Sequence, residues 1–267
     1  MSAVVTSGLP SQQPLPERRP RAIRLERWLV VSASLLAAAA FFWPFFASYA
    51  PREAQGLVPI AAIALIPLLA IAVSLTLDRS LRVSRAVALL GVLAAVGSIV
   101  RISTVGIAGV ETIFIVLILV GRALGARFGF LLGLLTVAVS SVVMGSLGPW
   151  TPFQMFAAAW IGAGAGLLPL RRLRGWRELA LLASYGLVAA YIFGALMNLW
   201  FWPFAVGADT TLSYVAGAAP AENIARFGLY TLLTSTLTWD TVRALTTVVG
   251  IAAVGGFVLR ALRRVRL

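Results

Sequence analysis

The chain contains no cysteine, no histidine and no lysine. Without cysteine there are neither disulfides nor thiolate metal sites, and without histidine the commonest general base and metal ligand is missing, which excludes most hydrolytic chemistry. No GxxxxGK[ST] stretch occurs, so the chain builds no phosphate-cradling ATP site of that kind. HExxH, a DDxxD-like acidic cluster and a serine with a histidine base are absent too. No catalytic residue and no metal ligand is therefore assigned, and the chain reads as a binding protein rather than an enzyme. Charge itself is scarce: 12% of residues carry it, with nine acids against 22 arginines and a net charge of +13.

What fills the space is apolar. Hydrophobic residues make up 60% of the 267 positions and mean hydropathy is +0.95, more than a soluble domain of this length could keep from water. Residues 128 to 170 run without one charged side chain, broken only at Gly145-Ser146-Leu147-Gly148-Pro149-Trp150-Thr151-Pro152. A bilayer needs about 20 residues per helix, so this run predicts two spans joined by a tight turn. Eight apolar stretches predict spans near 28–48, 57–77, 86–102, 111–124, 127–146, 152–169, 179–202 and 239–259. The fold class is all-α, a polytopic membrane helix bundle. The fourth stretch is short enough to tilt or to stop within the membrane.

Residues 1–27, rich in Ser, Pro, Gln and Arg, read as a disordered basic cytoplasmic tail. The first apolar stretch lacks a plausible signal-peptidase site and is expected to stay. Arginine sets the orientation, because cationic loops are retained inside. With both termini cytoplasmic, eighteen of the twenty-two arginines fall on the inner side, leaving Arg52, Arg101, Arg226 and Arg243 outside. The basic surplus is thus a signal of topology, helped by anionic membrane lipid, and not of nucleic-acid binding. The chain reads as a multi-pass cell-membrane protein. The outer connection from 203 to 238 is too long for a plain loop, and 223–237 is apolar enough for a surface helix that could serve as a lid.

Gly121, Gly125, Gly129 and Gly133 recur every four residues. Such spacing lets helix backbones approach closely in lipid, either to pack the bundle or to seat a partner. Gly91 and Ala95, with Ala94 and Ser98, give the third stretch a similar small-residue face with the same two readings. Polar groups at the outer level are few: Arg101, Glu111, Gln154, Asn198, Asp240 and Arg243. Intramembrane charges pair or face a cavity. Asp240 and Arg243 are spaced as an intrahelical pair, and Arg101 and Glu111 could pair across a short loop. Trp150, Trp160, Trp200, Trp202 and Trp239 come from the same ends, as an interfacial belt or as aromatic walls of a small-molecule pocket opening outward.

The stretches RISTVGIAGVETIFIVLILVGRALGARFGFLLGLLTVAVSSVVMGSLGPWTPFQMFAAAWIGAGAGLLP and TSTLTWDTVRALTTVVGIAAVGGFVLRALRRV resemble the membrane substrate-capture subunit, or S component, of energy-coupling factor (ECF) transporters. GPWTPFQM and TWDTVRA are the most specific parts. The resemblance implies a six-helix core at 82–267, preceded by an additional N-terminal two-helix transmembrane hairpin at 28–81. It implies capture of a vitamin or vitamin-like small molecule, cobalamin by guess, from the outer side. A separate transmembrane coupling subunit and two ATPase subunits would then drive release, so that ATP is used by the partners and this chain needs no cofactor. The expected substrate-binding residues are Arg101, Glu111, Trp150, Gln154, Asn198, Trp239, Asp240 and Arg243. The expected partner-docking residues are Gly91 and Ala95, or Ala94 and Ser98. Two alternatives stay open: a stand-alone secondary transporter of a small organic solute, and a membrane enzyme using Asp240 and Glu111.

Overall fold

The computed structural model describes residues 20–46, 57, 60–61, 63–64, 84–107, 109–170, 172–207 and 210–265. Helices account for all its regular structure, and no strand occurs among the described residues. In chain order they are α1 (Pro20–Phe41), α2 (Trp43–Phe46), α3 (Ser84–Ile102), α4 (Ile113–Leu124), α5 (Ala126–Val143), α6 (Thr151–Leu167), α7 (Trp176–Ala205) and α8 (Pro220–Thr231). A π-helical stretch (Leu232–Asp240) then leads into α9 (Thr241–Arg263). Among the described residues, four continuous helical stretches are long and apolar enough to cross a membrane: α3, α5, α7, and the run from α8 through α9. Their outer faces carry Val92, Ile99, Val142, Ile192, Val249 and Phe257 exposed, a surface suited to hydrocarbon. This is the chemistry of a membrane protein.

The short helix α4 sits at the centre. Ile113, Phe114 and every residue from Leu117 to Gly121 are buried, so α4 touches neighbours all round, as an all-apolar helix should. Its twelve residues rise only about 18 Å, which suits a helix walled by protein. Gly125, at φ +97°, breaks the chain between α4 and α5 in a backbone conformation that other residues rarely adopt. The glycine series is used for packing. A methyl group on Gly121 or Gly129 would overlap the Gly162 carbonyl of α6, and one on Gly133 would overlap the α6 backbone at Ala159. This close approach lets α4, α5 and α6 gain dispersion contacts that lipid cannot supply. Gly162→Leu would force them apart.

Two sequence expectations are redrawn at their edges and a third lies largely outside the described residues. The basic tail ends sooner than residue 27, because α1 starts at Pro20, a residue suited to the first helical turn; residues 1–19 lie outside the described residues. The second arm of the expected N-terminal hairpin, 57–77, also lies largely outside them. The lid candidate, 223–237, takes in most of α8 and most of the π stretch. Instead of standing alone, α8 leans on α2 and α7 through aromatic contacts: the Phe227 ring is 5.4 Å from Trp202 and 6.1 Å from Phe45. Trp43 extends this cluster to Phe204 and Tyr214. Trp202 Nε1 donates to the Leu212 carbonyl at 2.7 Å, pinning the connecting loop. Asn223 does the same from α8, exchanging two hydrogen bonds with the backbone of Val215.

Candidate functional site

Helices joined by short turns run antiparallel, so the end of α3 meets the start of α4 and the end of α5 meets the start of α6. Four polar side chains converge there. Arg101, in the last turn of α3, donates through Nη1 to Ser140 Oγ of α5 at 2.8 Å and through Nη2 to Gln154 Oε1 of α6 at 3.0 Å. Met144 Sδ lies 4.0 Å from Nη1. Thr112, at the entrance to α4, donates to the Val100 carbonyl at 3.1 Å and ties that entrance back to α3.

Glu111 precedes α4 and reaches α9. Gly109 makes this possible: it is buried at φ +73°, and a Cβ there would lie 2.7 Å from the Trp239 carbonyl oxygen, so a larger residue would push the turn off α9. Arg243 Nε donates to one Glu111 oxygen, and Arg243 Nη1 donates to Asp240 Oδ1. The other Asp240 oxygen accepts from Ser235 Oγ at 2.7 Å. Phe193 and Phe114 lie against the Arg243 guanidinium, with ring centroids 5.1 and 5.9 Å from Cζ. Asp240 is fully buried, and Gly194 faces it so closely that any side chain on α7 there would overlap the carboxylate.

The π stretch sets this geometry. Ser235 and Asp240 are five residues apart, as are Thr241 and Thr236, whose carbonyl accepts from Thr241 Oγ1 at 2.7 Å. In an α-helix, partners five apart diverge; a π turn aligns them. Between Arg101, Glu111 and Gln154 on one side and Phe114, Val137 and Phe193 on the other is a cavity of about 10 Å³, room for about one water.

The structure therefore brings together five expected residues, Arg101, Glu111, Gln154, Asp240 and Arg243. The pairing differs from the simplest one, since Glu111 joins Arg243 and not Arg101. Three expected residues stay outside the cluster. Trp150 and Trp239 are 40% and 51% exposed: each begins or borders a helix on the side away from the buried polar group, Trp239 being adjacent in sequence to the inward-facing Asp240. Asn198 makes no hydrogen bond through its buried Nδ2. The inward tryptophans are others. Trp200 stacks on Phe153 at 5.0 Å, and Trp202 serves the loop. The cavity at the polar cluster accepts no ring. Ser140, Ser235, Phe114 and Phe193 belong to the cluster without having been expected there; a serine or phenylalanine in an apolar helix gives no signal of its own.

The small residues of α3 divide. Ala94 and Ser98 are buried, and Ser98 Oγ lies 3.2 Å from the Thr136 carbonyl of α5, so these two are taken up in packing within the bundle. Gly91 and Ala95 face outward, with open space beside Gly91. Among the described residues no group of three or more His, Asp or Glu side chains could hold a metal.

A second ionic cluster occupies the opposite ends of the same helices. Glu178 at the start of α7 accepts from Arg122 Nε of α4 at 2.9 Å and from Arg263 Nη2 of α9 at 2.6 Å. Arg122 also donates to the carbonyls of Leu168, Pro169 and Leu170. No family model, no curated protein and no solved structure matches this chain.

Proposed function

We propose that the chain is the solute-capturing membrane subunit of an ECF-type importer, which binds a vitamin-like small molecule on one side of the membrane and hands it to an ATP-driven coupling module. In this reading α3 to α7 and α9 are the six core spans, and α1 and α2 belong to an added N-terminal hairpin. Both termini are cytoplasmic by the distribution of arginine. The Arg122–Glu178–Arg263 end then faces the cytoplasm and the Arg101–Glu111–Arg243 end faces outward.

One observation carries the proposal: ionisable and amide side chains from the ends of α3 and α6 and from the turn before α4 line a cavity, with Arg243 of α9 bonded to one of them, in a protein whose lipid-facing surface is apolar. Buried polar groups in a membrane bundle are costly and commonly mark a solute path or site. The GPWTPFQM and TWDTVRA segments, where the resemblance is most specific, supply Gln154, Asp240 and Arg243 of that cluster. The size of the cavity favours a solute that inserts one small group there over cobalamin. Absence of a nucleotide motif fits a division of labour in which partner subunits hydrolyse ATP.

The test is uptake. Cells producing this chain with a coupling subunit and two ATPases should accumulate the solute retained by the purified protein, identified by mass spectrometry, and should lose uptake when the ATPases are inactive. Uptake that persists without them would support the second reading, a stand-alone secondary carrier, for which the buried Asp240 at a non-α-helical stretch is the favouring feature.

A further inference from the structure

The two arginines of the cluster are provided for unequally. Arg243 takes both carboxylates, Glu111 and Asp240, and rests on two phenyl faces. Arg101 takes neither: among the described residues no carboxylate oxygen lies within 4.0 Å of its guanidinium. Its hydrogen bonds go to two neutral oxygens, Ser140 Oγ and Gln154 Oε1. A guanidinium carries five N–H donors in a planar fork suited to a carboxylate, and low polarity strengthens that pairing. The cavity adjoins this guanidinium, and it is large enough for a water or for one end of a carboxylate but not for a ring. Its remaining lining is apolar apart from Gln154 and Glu111, one of whose oxygens is held by Arg243.

Resting on the importer reading, we infer that Arg101 is the carboxylate receptor of the site and that the solute is a small organic acid. The acid inserts its carboxylate between Arg101 and Gln154, replacing a water-sized volume, and leaves its body toward the loop ends. Arg101 determines specificity by charge. Glu111, held by Arg243, attracts Arg101 only from beyond bonding distance, so the spare Arg101 donors stay open to a ligand.

The test uses the full chain in lipid nanodiscs and matched acid and amide probes: nicotinate with nicotinamide, biotin with biotin amide, pantothenate with pantothenamide, and cobalamin as a large solute without a free carboxylate. Binding is measured by calorimetry, alongside mass spectrometry of the solute retained on purification. At least one acid, or the retained solute, should bind through a carboxylate, with its amide weaker on the order of 30-fold, the loss expected when a charge-assisted hydrogen bond is removed. Arg101→Gln should erase that acid preference, Arg101→Lys should restore part of it, and Arg226→Gln, which removes a half-buried cation from α8, should leave it unchanged. If Arg101→Gln fails to fold, the acid and amide pairs on the unaltered protein still decide. Equal binding of acids and amides, or capture of cobalamin or another solute lacking a carboxylate, overturns the inference while leaving the importer reading standing. If the protein retains and binds no small molecule and supports no uptake, both fall.

Discussion

The two ends of the bundle use the same side chains to opposite effect. At one end a single acid, Glu178, lies between Arg122 and Arg263, and the remaining Arg122 donors are taken by three backbone carbonyls. At the other, two acids crowd onto Arg243 while Arg101 is left with neutral oxygens beside a cavity. The first arrangement joins α4, α7 and α9 to the α6–α7 connection with little left over. The second leaves a cation with spare donors. Counting charges alone would not separate them; what distinguishes a brace from a receptor is whether the protein itself supplies each charge with its partner.

The sharpest way to break this contrast is at the brace. Glu178→Ala strands two arginines, of which Arg122 is nearly inaccessible, and should cost about 3 to 5 kcal/mol. Thermal unfolding in detergent measures it, and a loss under 1 kcal/mol would make that end as permissive as the other. Next comes the support beneath the cluster: Trp200→Ala, which removes the ring stacked on Phe153, should cost about 3 kcal/mol by the same assay, whereas the exposed Trp150→Ala and Trp239→Ala should each stay within roughly 0.5 kcal/mol. Gly194→Ala places a methyl group on the Asp240 carboxylate and should destabilise by about 1 to 3 kcal/mol, and Ser235→Ala should cost about 1 to 2 kcal/mol. Within the polar cluster the smallest stability effect is that of Arg101→Gln, at about 1 kcal/mol or less, because glutamine can still bond to Ser140 or Gln154. Solute binding should fall far more than the melting temperature does, and parallel losses would place Arg101 with the braces.

Much of this was legible in the chain. Apolar length located the helices, and the spacing of Gly121, Gly129 and Gly133 foretold the close packing onto Gly162 and Ala159, since only a missing side chain allows backbones to meet. The triplet of Asp240 and Arg243 also forms its pair. The orientation of the tryptophans was not legible, because an indole near a helix end is equally stable toward lipid or toward protein. Nor was the exchange of partners that sends Glu111 to Arg243. That depends on Gly109 letting one turn pass against another helix more than a hundred residues away in sequence. The inward aim of Asp240 relies on winding that no period of 3.6 anticipates.

That wide winding over Leu232–Asp240 has an evolutionary corollary. One codon removed between 232 and 238 would let the stretch relax to ordinary helix, with hydropathy almost unchanged and α9 still anchored by Arg263. Asp240 would keep nearly the same bearing relative to α8, because a π turn spreads over one more residue the arc that an α turn covers. Relatives that differ here by a single-residue gap would therefore carry Asp240 on the same helix face.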